Sequence, residues 1–311
     1  MHHDPMKRRV RLRDLDTLLT VVQTKGMRQA ARELSLSQPA VSKAIRSLED
    51  ALGVQLLDRS RRGVEATLFG HALAQRTRAA FDELRQAVRD IEHLADPQGG
   101  EVHGATMESL NAGLLGAAVE RMTRRYARMR IHLDTGQSAH ILDHYVRGHL
   151  VEFAVVRPPA LPLAADLAGE ALFFDPLMVV VGGSHPYARR RQIALDELVD
   201  EQWVTSTAEA QADSPLGRAF AERGLQMRAP RLVSASLNMR YTLLATGRWV
   251  TLMPHSVLRF MTARPTPLKA LPIELPPWAA PTMIVTNRDR VVGPVATRFL
   301  DQVRELAATL R

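Results

Sequence analysis

Cysteine is absent from the 311 residues. Disulfide frameworks, thiol nucleophiles and cysteine-ligated zinc or iron are thereby excluded. Long apolar runs are missing too. The longest unbroken stretches span about five to seven residues, as in residues 177–181, against the ~20 a transmembrane helix needs. No charged-then-apolar leader opens the sequence, so a cytoplasmic protein without a membrane partner is expected. Catalytic signatures are equally scarce. The sequence holds no Gly-x-Ser-x-Gly elbow, Walker-type phosphate loop, His-Glu-x-x-His or dinucleotide fingerprint. Neither a catalytic residue nor a cofactor is assigned, and no enzyme is expected.

Lysine is also rare, at four of the 41 basic residues. The net charge is nevertheless +8, and its placement is uneven. Residues 1–70 carry 13 Lys/Arg against 8 Asp/Glu, whereas the remaining 241 residues carry 28 against 25. A basic first quarter is an electrostatic footprint for nucleic acid. Part of the arginine excess is equally well explained by codon bias. The length suits two or three globular units, and 46% hydrophobic with 24% charged residues is ordinary for a soluble globular chain.

Residues 12–70 show three closely spaced helical stripes. Asp14 is placed to cap a helix with Leu15, Leu18, Leu19 and Val22 on one face, ended by Gly26. Met27, Ala30, Ala31 and Leu34 repeat the spacing on a second, short helix. Ser37 then reads as an N-cap with Pro39 in the first turn, and Gly53 as the C-terminal glycine of a third helix. Winding that helix at 100° per residue puts Val41, Ile45, Leu48 and Leu52 within about 40° of one another. Pro39, Ser42, Lys43 and Arg46 fall on the opposite face, with Gln38 at the exposed tip. Amide, hydroxyl and cationic groups gathered on one unobstructed face suit the major groove. Any surface helix also shows a polar outer face, so both readings stand on this helix alone.

From about Thr67 to Leu94 the spacing predicts one long helix of ~27 residues, ~40 Å in length. Leu73, Thr77, Ala80, Leu84, Ala87, Ile91 and Leu94 alternate by three and four, which makes a heptad seam for a self-pairing helix. A surface helix packed on its own chain is the alternative. Asp96-Pro97-Gln98-Gly99-Gly100 reads as a stop and hinge. Beyond it, strands are predicted over residues 101–106, 131–135, 153–156, 177–181, 203–205, 231–234, 249–252 and 282–286. Helices are predicted over 110–126, 139–147, 216–223, 237–245 and 295–310. Such alternation means an α/β fold, with ligands beyond the carboxyl ends of its strands.

The run Ala30-Ala31-Arg32-Glu33-Leu34-Ser35-Leu36-Ser37-Gln38-Pro39-Ala40-Val41-Ser42-Lys43-Ala44-Ile45, with Leu48-Glu49 and Leu52-Gly53, resembles the LysR-type transcriptional regulators. Val54-Gln55-Leu56-Leu57-Asp58-Arg59 and Arg61-Arg62-Gly63-Val64 resemble that family's wing. Met27 and Leu57 depart from the residues common at those positions, and both are structural. The resemblance implies a winged helix-turn-helix over 1–70, a linker and dimerisation helix over 71–96, and a sensor over 97–311. That sensor would be a two-lobed, periplasmic-binding-protein-like (type 2) α/β domain. Lobe I is expected at about 97–160 and 266–311, lobe II at about 161–265. Gln38, Pro39, Ser42 and Lys43 would touch operator DNA, joined by the outward Arg46. Arg59 would reach minor groove or phosphate, and Arg61 and Arg62 phosphate. The implied partners are a double-stranded operator with inverted-repeat half-sites, a second or fourth copy of the chain, and RNA polymerase.

In such sensors an effector lies between the lobes, held at strand ends and helix N-termini that favour anions. The matching positions are Ser109, Ser138, Arg157, Ser206, Thr207, Ser236 and Asn238. Ser109, Ser138 and Ser236 read equally well as N-caps, and Arg157 as a solvated loop cation. His185-Pro186 looks like the family's recurring turn, and Glu152 stands where an aspartate is common. No metal is assigned. His140 and His144 are four apart with Asp143 between them but lack a third ligand, and a partly exposed helix face explains them. His2 and His3 lie at the terminus. A solute-binding or enzymatic α/β protein with an incidental trihelical domain remains the alternative, to be told apart by turnover of a small substrate.

Overall fold

The computed structural model describes residues 10–60, 63–96, 98–260 and 267–310. It divides into two compact units, residues 1–88 and 89–311.

The first unit opens with α1 (Leu12–Thr24), α2 (Met27–Glu33) and α3 (Gln38–Leu52). Leu18, Val21, Met27, Ala30, Val41, Ile45 and Leu48 form its core, the stripes expected from the sequence. The Ser37 hydroxyl accepts from the Ala40 N–H at 3.3 Å, and Gly53 closes α3 at φ 69°. Asp14 is not a cap: α1 starts two residues before it, after an extended Arg11. Nor does Gly26 end α1. Lys25 takes the left-handed turn at φ 53°, and Gly26 precedes α2 with extended backbone.

Strands β1 (Leu57–Ser60) and β2 (Gly63–Ala66) pair antiparallel, the wing. Three hydrogen bonds set it against the helices. Glu49 Oε1 accepts from the N–H groups of Leu56 (2.9 Å) and Leu57 (3.3 Å), and the Val64 N–H donates to the Lys25 carbonyl at 3.3 Å. The long α4 (Leu68–Ala95) follows, 28 residues in one helix, with the Thr67 hydroxyl accepting from the Gly70 N–H.

The sensor contains two five-stranded sheets. The first is built from β3 (Gly99–Thr106), β4 (Arg128–Thr135), β5 (Phe153–Val156), β6 (Leu167–Phe173) and β12 (Thr282–Asn287), in the order β4-β3-β5-β12-β6. The second holds β7 (Leu177–Gly182), β8 (Gln202–Thr205), β9 (Leu232–Val233), β10 (Trp249–Pro254) and β11 (Leu268–Ala270), in the order β11-β7-β10-β8-β9. All four residues of β5 are buried. Phe153 and Val155 face Phe299, Leu300 and Val303 of the last helix (Pro294–Ala308), while Ala154 and Val156 face Ile141 and Val146. Two-sided burial is why this central strand reads as an unbroken apolar run.

The lobe limits differ from those expected. The segment 167–173 belongs to the first sheet and 268–270 to the second, so the chain crosses after Phe173 and again after Ala270. Both strands escaped the sequence reading. Burial in β6 does not alternate along its length, and β11 is only three residues long. The expected strand 231–234 shrinks to Leu232–Val233. The helices after β3 and β4 each widen into a π-turn, at Asn111–Leu115 and Ile141–Val146. Among the described residues no helix is long and apolar enough to cross a membrane.

Candidate nucleic-acid interface and interlobe site

On α3 the core face and the outer face separate cleanly. Val41, Ile45 and Leu48 are fully buried, whereas Gln38, Pro39, Lys43 and Arg46 are exposed and Ser42 is half-buried. Arg46 Nε folds back to the Ser42 carbonyl at 3.3 Å, which ties the far end of the row to its own helix. Among the described residues of the first unit, none covers Gln38, Pro39 or Lys43. Arg59 lies on β1, and Arg61 and Arg62 lie outside the described residues.

The expected seam on α4 divides in two. Leu73 packs, partly buried, against the core of the first unit, and Thr77 is buried within the chain. Ala80, Leu84, Ala87, Ile91 and Leu94 are exposed; Leu84 is 49%, Ile91 67% and Leu94 80% accessible. Val88, equally exposed, joins them and was missed because it sits beside Ala87 rather than on the strict heptad. An apolar stripe left open along a helix this long marks an interaction surface.

The strand ends of the sensor converge between its sheets. Arg157 leaves β5 and stacks on the Trp278 ring, 4.9 Å from its centroid. It is no solvated loop cation. Its Nε is buried without a hydrogen bond, and burial lowers its pKa, partly offset by Asp175 and Glu209. Asp175, at the crossing into the second sheet, accepts from the Ser256 N–H (3.0 Å) and hydroxyl (2.6 Å). Burial raises its pKa against those bonds and the nearby Arg157 and His255.

Behind these lies a buried pair that sequence reasoning missed. Arg240 and Glu209 meet in a forked contact of 2.6 and 3.2 Å, with Arg240 also donating to the carbonyls of Leu252 and Ser234. Arg240 sits inside the predicted helix 237–245 (α9, Leu237–Ala245), where its spacing looked no different from a surface arginine.

The serines divide by role. Ser206 trades bonds with Glu209, N–H to Oε2 at 2.6 Å and Oγ from the Glu209 N–H at 3.3 Å, which is a capping arrangement. Ser236 caps α9 by accepting from the Met239 N–H. The Leu237 N–H of α9 is taken up by Glu108 Oε1 from the first lobe at 2.8 Å, so a carboxylate already occupies that helix start. Ser109 and Ser138 are not N-caps. Met107 and Gln137 hold those positions, and both serines lie half-buried in first turns next to the π-turns. Wide turns of this kind recur at functional sites. Thr207 and Asn238 are exposed. A shallow hollow of about 420 Å³ near Ile193, Arg223 and Ile273 includes none of these strand ends.

His185 is buried as a turn residue, its Nδ1 accepting from the Tyr187 N–H. Glu152 is buried and accepts from the His103 N–H at 3.2 Å. His140 and His144 stack on each other at 5.0 Å, while Asp143 is engaged by Arg147.

Residues 12–71 match the model of the bacterial regulatory helix-turn-helix protein, lysR family, and residues 95–308 that of the LysR substrate binding domain. The chain is 25% identical over 294 residues to the uncharacterized HTH-type transcriptional regulator YfeR of Shigella flexneri, covering 94% of this chain and 93% of that protein. It is also 25% identical over 302 residues to the HTH-type transcriptional regulator PcaQ of Agrobacterium fabrum, covering 97% and 96%. The crystal structure of CbnR, a LysR family transcriptional regulator, matches with a TM-score of 0.63 at 18% identity, covering 96% of this chain and 99% of that one. CbnR complexed with its target DNA matches at 0.53 and 20% identity, with the same coverage. At these identities the structures share the fold.

Proposed function

Because the chain belongs to the LysR family of bacterial transcriptional regulators, we propose that its dimer or tetramer reads an inverted-repeat operator under control of a small anion held between the sensor lobes. It is a DNA-binding regulator and not an enzyme. In this reading Gln38 and Ser42 meet base edges, Pro39 sets the entry of α3, and Lys43 and Arg46 meet guanine or phosphate. Arg59, Arg61 and Arg62 meet backbone phosphate from the wing. Two copies paired through the α4 stripe present two such helices, which is why the operator is an inverted repeat. RNA polymerase is the partner through which operator binding would act, and the cytoplasm is where these partners meet.

The observation that carries the effector half is Arg157. A guanidinium stacked on Trp278, with its Nε buried and without a hydrogen bond, is prepared for an incoming acceptor. Ser109 and Ser138, beside the π-turns, are the hydroxyls proposed to orient that ligand. Ser206 and Ser236 serve as caps, and Thr207 and Asn238 stand outside the proposal. Because the Glu108 carboxylate bridges the lobes at α9, an anion seated nearby would weaken that bridge by repulsion. Such a ligand changes DNA binding only if it prefers one lobe arrangement over another.

Thermal melting of the full chain against benzoate, succinate, citrate and sulfate tests the site, since a ligand bound to the native state alone raises the melting temperature. At least one anion is expected to stabilise the wild type and to lose that effect with Arg157→Gln. Equal responses in both proteins, or none in the wild type, contradict the assignment.

A further inference from the structure

Away from the strand ends, the first sheet gathers two imidazoles and a carboxylate on one face. Glu101 and His103 are two apart on β3, so both point to the same side. The parallel register pairs His103 directly with His132 of the edge strand β4. Their rings lie 4.6 Å apart and within 5° of parallel. Glu101 Oε2 is 3.4 Å from His103 Nε2. One donor atom from each of Glu101, His103 and His132 falls within 4.8 Å of the other two.

We propose that Glu101, His103 and His132 form a binding site for a divalent transition-metal ion such as Zn²⁺, with the fourth position open to water. Two neutral imidazoles and one carboxylate are a common three-ligand set for zinc. In a tetrahedral site with bonds of about 2.0–2.1 Å the ligand atoms stand about 3.3 Å apart. Rotation of the exposed His132 ring closes the difference, while β3 and β4 hold the backbone fixed. Outer partners are in place. Arg130 Nη1 engages Glu101 Oε1 at 3.3 Å, leaving Oε2 toward the histidines, and the buried Glu152 carboxylate fixes the His103 backbone. Groups of this kind orient ligands and tune affinity. The absence of cysteine leaves the ion to nitrogen and oxygen donors, so cobalt or nickel would enter the same site. The bound ion would fasten the edge strand β4 to β3 without touching Arg157 or the proposed effector site.

Calorimetric titration of metal-stripped, full-length protein with ZnCl₂ tests this, run in a His2→Ala/His3→Ala background so that the terminal histidines cannot contribute. One zinc per chain is expected. His103→Ala and His132→Ala should each weaken it at least about tenfold, and His140→Ala/His144→Ala should leave it unchanged. His132 is exposed, so His132→Ala should melt as the parent does when metal is absent. Cobalt absorption typical of four-coordination should appear in the parent and vanish in His132→Ala. A parent that takes up no zinc, or a His132→Ala variant that binds it undiminished, overturns the proposal.

Discussion

Glu209→Ala is expected to cost about 3–5 kcal/mol of folding stability, because it strands a buried cation. Arg240 is only 3% exposed, and its fork closes on both oxygens of Glu209. The carbonyls of Leu252 and Ser234 cannot replace a lost carboxylate. The Ser206 N–H would also lose its acceptor, loosening the turn after β8. For a chain of this size the loss corresponds to a fall in melting temperature on the order of 10 °C. Removing both charges should hurt less than removing one, since an apolar pair avoids the desolvation cost that the ion pair must offset. Urea unfolding of Glu209→Ala, Arg240→Met and the Glu209→Leu/Arg240→Met double variant distinguishes these cases. Single variants within 1 kcal/mol of wild type, or a double variant as damaged as the sum, would show that the pair is not the anchor of this lobe.

Leu84→Glu should convert the assembled protein to monomer. Half of the Leu84 side chain is exposed in the single chain, so a glutamate there leaves the monomer fold intact. Buried in a paired helix, the same carboxylate would face apolar side chains at several kcal/mol per copy. Sedimentation at micromolar concentration is expected to show an oligomer for wild type and a monomer for Leu84→Glu, while Glu83→Ala, one residue away on an exposed polar position, stays assembled. Wild type sedimenting as a monomer would remove α4 as the interface. Thr77→Glu does not make the same test, because Thr77 is buried within the chain.

The contrast between Thr77 and Leu84 shows what the sequence could convey. Periodicity announces an apolar seam but not where along it the chain's own core ends and the open surface begins. Helix α3 was legible nearly to the residue because Ser37, Pro39 and Gly53 punctuate it chemically and Val41, Ile45 and Leu48 fix its inward face. Asp14 misled because an aspartate favours both the cap and the first turn of a helix, and here it occupies the turn. The central strands β5 and β7 were readable as apolar runs, whereas β6 and β11 lack the pattern. The candidate site depended on distance in three dimensions. Glu209 and Arg240 are 31 residues apart, Glu108 and Leu237 129 apart, and His103 and His132 meet only through strand register. Arg157 stood out only as a charge after a strand; its desolvation against Trp278 needed the fold.

Base reading by α3 is tested by titrating wild type and Gln38→Ala against the operator and against random duplex DNA over a salt series. Gln38 is exposed at the helix tip, so its truncation should leave the fold and the salt slope untouched. A loss of about 1–3 kcal/mol is expected on the operator, with binding to random DNA nearly unchanged. An equal loss on both DNAs would mean that Gln38 only steadies the backbone, and would contradict direct reading by this helix.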